Sequence, residues 1–150
     1  MHDAIHLNPV WRDRANFIIA AEFTMEPTDV KTEQLWARRV GVDVFEICCI
    51  PFFLYDVALG DIVETDGDWL VRDVVKPSGR YVFRVWFGDT FYPRDEVAVG
   101  LEDLGALLEW SSPDLLAVDA VDEENAKVLS GFLLDRQDRD ELIYETGKLI

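Results

Sequence analysis

Residues 80–87, RYVFRVWF, alternate without interruption: Tyr81, Phe83, Val85 and Phe87 share one parity, and Val82, Arg84 and Trp86 share the other. Side chains leave a strand by opposite faces with a period of two, so this segment is a strand with one wholly apolar face. The residues before it form shorter pieces of the same kind. Gly60-Asp61 turns into Ile62-Val63, Asp66-Gly67 is a hairpin signal, and Pro77-Ser78-Gly79 supplies the next turn. This stretch reads as a run of short strands joined by tight turns.

Upstream, residues 1–9 have no period long enough to hold them and are expected to form a loose arm carrying His2 and His6. Val10–Phe23 is expected to be the first strand, with Phe17, Ile19 and Ala21 on one parity. KTEQLWARRVG places Leu35, Trp36 and Val40 on a short helical face that Gly41 would close. VDVFEICCIPFF follows as a strand ending at Pro51, which lacks the donor that a central ladder needs.

Downstream, the apolar stripe Val97, Leu101 and Leu104 predicts a helix, and Gly105 sits where a terminating glycine is expected. ALLEWSS and LLAVDAV then read as strands around the turn SSPD. Asp122 caps a second helix with Glu123 and Glu124 in its first turn, Ala126, Leu129, Phe132 and Leu133 make its buried stripe, and ELIYET closes as a strand. From Arg80 the order is strand, helix, strand, strand, helix, strand. The expected fold class is therefore α+β: an arm over 1–9, a small antiparallel β-barrel-like subdomain over 10–79, and a ferredoxin-like βαββαβ unit over 80–150.

The composition supports a packed core, since 49% of the 150 residues are hydrophobic and the chain holds five Trp and nine Phe. Its net charge of -16 repels phosphate backbones and anionic lipid, so nucleic acid and membrane surfaces are poor partners. The acids are uneven. Residues 89–150 carry sixteen acids and five bases, against fourteen and nine in residues 1–88. Two cysteines and the lack of a signal-like or membrane-spanning run make the cytoplasm the expected compartment.

No common catalytic, phosphate-binding or zinc motif is present. Cys48 and Cys49 are adjacent, so in a strand they point to opposite faces, and a structural core role is expected for both. Asp61 reads as a turn residue, and the aromatics of PFFLYDVALGD as packing. Asp114, Asp119, Asp122, Glu123 and Glu124 lack the EF-hand order, so no metal site is expected. Arg80 and Arg84 stand in an apolar strand, where an ion pair with Glu109 or another nearby acid is the expected arrangement and anion binding the other.

The succession EQLWA, IPFF, ALGDIV, SGRYVFRV, LGALLE and LLAVDA, ending in YETG, resembles a bacterial family of domains of unknown function, the one numbered 4265. The likeness spans Val10–Gly147 and implies a small soluble protein with no assigned activity. It points to Gly60, Asp61, Gly79, Arg80 and Glu109 as positions the fold uses. The functional expectation is a non-enzymatic acidic module, a monomer or homodimer without cofactor, metal or catalytic residue. It would dock a basic protein surface, as immunity proteins and antitoxins do against a cognate toxin, through Glu102, Asp103, Asp122, Glu123, Glu124, Asp135 and Asp138. The other expectation is a small-molecule sensor binding through Tyr55, Arg80 and Arg84 at a ferredoxin-like dimer interface.

Overall fold

The computed structural model describes residues 4–88 and 94–148. Its first sheet is built from β1 (Phe17–Glu26), β2 (Asp29–Gly41), β3 (Val44–Ile47), β4 (Ile62–Thr65) and β5 (Val71–Lys76), in that spatial order and antiparallel throughout. β2 occupies the segment expected to be a helix. Its burial alternates, with Glu33, Leu35 and Ala37 inside and Gln34, Trp36 and Arg38 half-buried, while Val40 is exposed. A helix of two or three turns is marginal alone, whereas β1 offers β2 a ladder running from Phe17↔Ala37 to Thr24↔Val30. Gly41 does not act as a left-handed cap; Asp43, at φ 55, makes the turn into β3.

The second sheet has the order β7-β8-β6-β9, from β6 (Tyr81–Trp86), β7 (Leu107–Ser112), β8 (Leu115–Ala120) and β9 (Ile143–Thr146), again antiparallel. Helices α1 (Arg94–Asp103) and α2 (Glu123–Asp138) cover one face of it. Phe83, Val85 and Phe87 meet Val97, Leu101, Leu129 and Leu133 there, each side chain contributing about 1.5–3 kcal/mol by its removal from water. α1 stops where the sequence predicts. Gly105 takes φ 96, its N–H donates to Glu102 O (2.9 Å), and the N–H of Ala106 returns to Leu101 O (3.1 Å), the paired bonds of a glycine-terminated helix. α2 starts at Asp122, which accepts from the N–H of Asn125 (2.7 Å). The helices also pack closely, since a Cβ on Gly100 would lie 2.7 Å from the Phe132 ring.

The expected α+β pairing of a barrel-like sheet with a ferredoxin-like unit is corrected by this architecture. Among the described residues the chain is mostly β, with nine strands in two antiparallel sheets and two helices. The first sheet curls until the N–H of Ala20 reaches Trp69 O (3.0 Å), forming a single bridge, and does not close into a barrel. The physical reason is β2, whose thirteen residues pair with β1 and β3 where a short helix was expected and so make the first half an open five-stranded sheet. The segment Val10–Asn16 is also no strand: Arg12–Arg14 form a 3-10 turn, and β1 begins at Phe17.

A third apolar cluster joins the two sheets, with Ile50, Phe52 and Leu59 of the β3–β4 connection packed on Val82 and Ala117. Val10 and Trp11 complete it. The N-terminal segment is bound into this junction, which corrects the loose arm for residues 4–9; residues 1–3 lie outside the described residues. Ala4 bridges to Glu33, and His6 is 3% exposed. Among the described residues no helix is long and apolar enough to cross a membrane.

Candidate functional site: a cleft between the sheets

On the side of the second sheet opposite the helices, the β3–β4 connection covers only part of the surface. The uncovered part forms a cleft of about 420 Å³. Its floor is Arg84 and Trp86 of β6, Leu115 of β8 and Glu145 of β9. Phe52, Phe53 and Tyr55 make one wall, and Thr24 and Met25, near the end of β1, make the other. The period-two pattern accounts for the floor: Phe83 and Val85 face the helices, so Arg84 and Trp86 must face the first sheet.

Arg84 is 3% exposed. Its Nε donates to Glu145 Oε1 (3.0 Å) and its Nη1 to Pro51 O (3.4 Å), while the ring of Tyr55 lies 4.8 Å from the guanidinium carbon. Nη2 is buried and has no hydrogen-bond partner. A buried donor without an acceptor costs about 1–3 kcal/mol, so this arrangement is not optimised for stability. Tyr55 donates to Glu145 Oε2 (2.8 Å), which raises its phenol above the ordinary range, and both residues are at least half exposed. Phe53 is held against Phe23 in a stack at 4.9 Å, and Trp86 is 49% exposed.

Arg80, expected to act with Tyr55 and Arg84, sits elsewhere. Its Nη1 pairs with Asp119 Oδ2 at 2.5 Å and its guanidinium covers Trp11. Burial pushes Asp119 up to about 6 despite that arginine. Neither arginine meets Glu109, because Glu109 is engaged at a centre where the sequence pattern showed nothing. His6 Nδ1 lies 2.8 Å from Glu109 Oε1 and Nε2 lies 2.7 Å from Glu33 Oε2, with Phe52 stacked on the imidazole at 4.0 Å. The carboxylates also accept from the chain: Ile50 N–H donates to Glu109 (2.5 Å), and Phe52 and Phe53 N–H donate to Glu33 (2.8 and 2.9 Å).

Burial alone would lower the His6 pKa, but the neighbouring Cys49 and the carboxylates of Glu109 and Glu33 that its ring nitrogens meet outweigh it and raise it to about 12. Cys49 is buried beside this imidazolium, and burial holds its thiol above the usual range. A cysteine, a histidine and two glutamates invite comparison with a nucleophilic site. The arrangement argues against it: each ring nitrogen faces a carboxylate oxygen, and an imidazolium held between the two has no lone pair to take a proton from sulfur. Burial likewise pushes Cys48 up to about 12, as does the charge of Glu46. Asp61 organises its turn, accepting from Ala58 N–H (2.9 Å) and Ser78 N–H (2.8 Å).

The acids expected to meet a partner are exposed on the helical layer. Five of them share one end: Asn125 Nδ2 donates to Leu104 O (2.8 Å), which brings Asp122, Glu123 and Glu124 beside Glu102 and Asp103. Asp135 and Asp138 lie toward the other end of α2, about 20 Å along the axis. Glu123 pairs with Lys127 and Asp135 with Arg139.

A family model described as "Domain of unknown function (DUF4265)" matches residues 33–144. No curated protein matches the chain. Among solved structures, it is similar to one titled "Novel crystal structure of a hypothetical protein from Neisseria gonorrhoeae", at 21% identity and a TM-score of 0.76, over 88% of this chain and 94% of the other. At that identity the likeness speaks to the fold alone.

Proposed function

This chain belongs to the DUF4265 family, domains defined without an activity, and from that premise we propose that it is a non-enzymatic module that binds a small molecule in the cleft between its two sheets. One observation carries the reading. An aromatic-walled cavity of ligand size is lined by a buried arginine, one of whose guanidinium nitrogens has no hydrogen-bond partner. The site lies within a single chain, so it needs no dimer seam, and it uses Tyr55 and Arg84 with Glu145 in place of Arg80. The test is a thermal-melting screen of a metabolite library against the wild type and Arg84→Met. Compounds that raise the wild-type melting temperature with saturation, and the variant's much less, support the reading. Equal shifts in both proteins would refute it.

A second reading is docking of a basic protein surface, the immunity-protein or antitoxin mode. The gathering of Glu102, Asp103, Asp122, Glu123 and Glu124 at one exposed end of the helical layer favours it. Steering by such a patch weakens as ionic strength rises. A basic partner whose association rate is unaffected when Glu102, Asp103, Glu123 and Glu124 are changed to Gln would refute this mode.

A further inference from the structure

We infer that the ligand of this cleft is an uncharged ring compound carrying a carbonyl oxygen, which accepts a hydrogen bond from Arg84 Nη2 once the Tyr55 side chain swings aside; the inference rests on the cleft being a ligand site. The chemistry follows from three features. Nη2 can only donate, so its missing partner is an acceptor. Glu145, 3.0 Å from Nε, already balances the guanidinium charge. A carboxylate ligand would bring a second negative group to the same cation, inside a chain of net charge -16. A cationic ligand would face Arg84 itself and leave Nη2 without an acceptor. A neutral carbonyl satisfies the donor and adds no charge.

The walls select a ring. Phe53 and Trp86 present aromatic surface around a space of about 420 Å³, enough for a compound of one or two rings. Tyr55 now occupies the place over the guanidinium, at 4.8 Å, tethered by its hydroxyl to Glu145. Its side chain is largely exposed, so displacing it costs one solvent-facing hydrogen bond and the ring's contact with the guanidinium, and uncovers that side of Arg84. Tyr55 is thus a lid whose latch is the Tyr55–Glu145 bond.

A series with one ring and three charge states tests this: benzamide, benzoate and benzylammonium, titrated at pH 7 against the full chain. Binding is read from the indole resonance of Trp86, assigned through Trp86→Phe. The expected result is saturable binding of benzamide in the millimolar range suited to a fragment, weaker binding of benzoate, and none of benzylammonium. Arg84→Met abolishes the benzamide response. Tyr55→Phe, which has no latch, strengthens it about two- to fivefold, the worth of one exposed hydrogen bond. Benzoate binding more tightly than benzamide would overturn the uncharged ligand while leaving the cleft as a site. Benzamide binding equally to wild type and Arg84→Met would overturn the assignment to Nη2. If none of the three moves the Trp86 signal, the cleft reading falls as well.

Discussion

Raising the pH from 7 to 8.5 is expected to weaken the fold through His6. The imidazolium is held between Glu33 at 2.7 Å and Glu109 at 2.8 Å, under the Phe52 ring, and keeps its proton to about pH 12. In the unfolded chain the same group titrates near 6.5. Below 6.5 both states hold the proton and the stabilisation is complete. Above it only the folded state does, so stability falls by about 1.4 kcal/mol per pH unit until the folded group itself titrates. Over this window the loss is about 2 kcal/mol, a substantial part of an ordinary domain's stability. Stopping at 8.5 keeps the measurement below the ordinary range of the cysteine thiols, whose raised folded values add a loss of the same sign at higher pH. Urea unfolding at the two pH values gives the difference, and His6→Gln, with nothing to titrate there, should show a much flatter dependence. At pH 7 that variant also leaves two buried carboxylates without their cation, at a cost of about 3–5 kcal/mol. Wild-type stability that is flat across the window, or an imidazole signal titrating near neutrality, would refute the charge assignment.

Asp119 has the same sign of dependence in a lower window. Its folded value of about 6 lies above the ordinary 3.8, so wild type loses stability between pH 4 and 6, by about 3 kcal/mol if the shift is expressed in full, while Asp119→Asn does not; parallel urea titrations check this. Gly105→Ala should destabilise by about 1–2 kcal/mol, seen as a melting temperature lower by a few degrees. Its new Cβ meets only Asn125 Nδ2 at 3.6 Å, so the cost is that of φ 96 alone.

Much of the second sheet was legible because its signals are local. The alternation of Tyr81–Phe87, the glycine after α1 and the capping aspartate before α2 each act within one turn or strand. β2 was not, because Leu35, Trp36 and Val40 satisfy a short helical stripe as well as a strand, and only the distant β1 decides between them. The cleft was half legible: Arg84 and Tyr55 are conspicuous in sequence, but Glu145 joins them from the last strand, and Arg80 is diverted to Asp119. The His6 centre was hidden. Its members come from the N-terminal segment, β2 and β7, and a histidine in an unpatterned stretch gives no sign of burial. One signal was available, since Glu33 shares the inward parity of Leu35 and Ala37, a position where an acid needs a buried partner. Glu109 gave no such signal, because its same-parity neighbour Leu107 is 36% exposed.

The reading of the cleft depends on Arg84 being retained for a ligand rather than for the fold, and the unfolding free energy of Arg84→Met without any ligand tests that most directly. The substitution removes the unpaired Nη2 and gives up the pair with the half-exposed Glu145, the long bond to Pro51 O (3.4 Å) and the contact with the Tyr55 ring, sums of opposite sign and similar size. The variant is expected to lie within about 1 kcal/mol of wild type, or above it. A loss of about 3 kcal/mol or more would show that the guanidinium holds the two sheets together, and that the cleft is a by-product of packing.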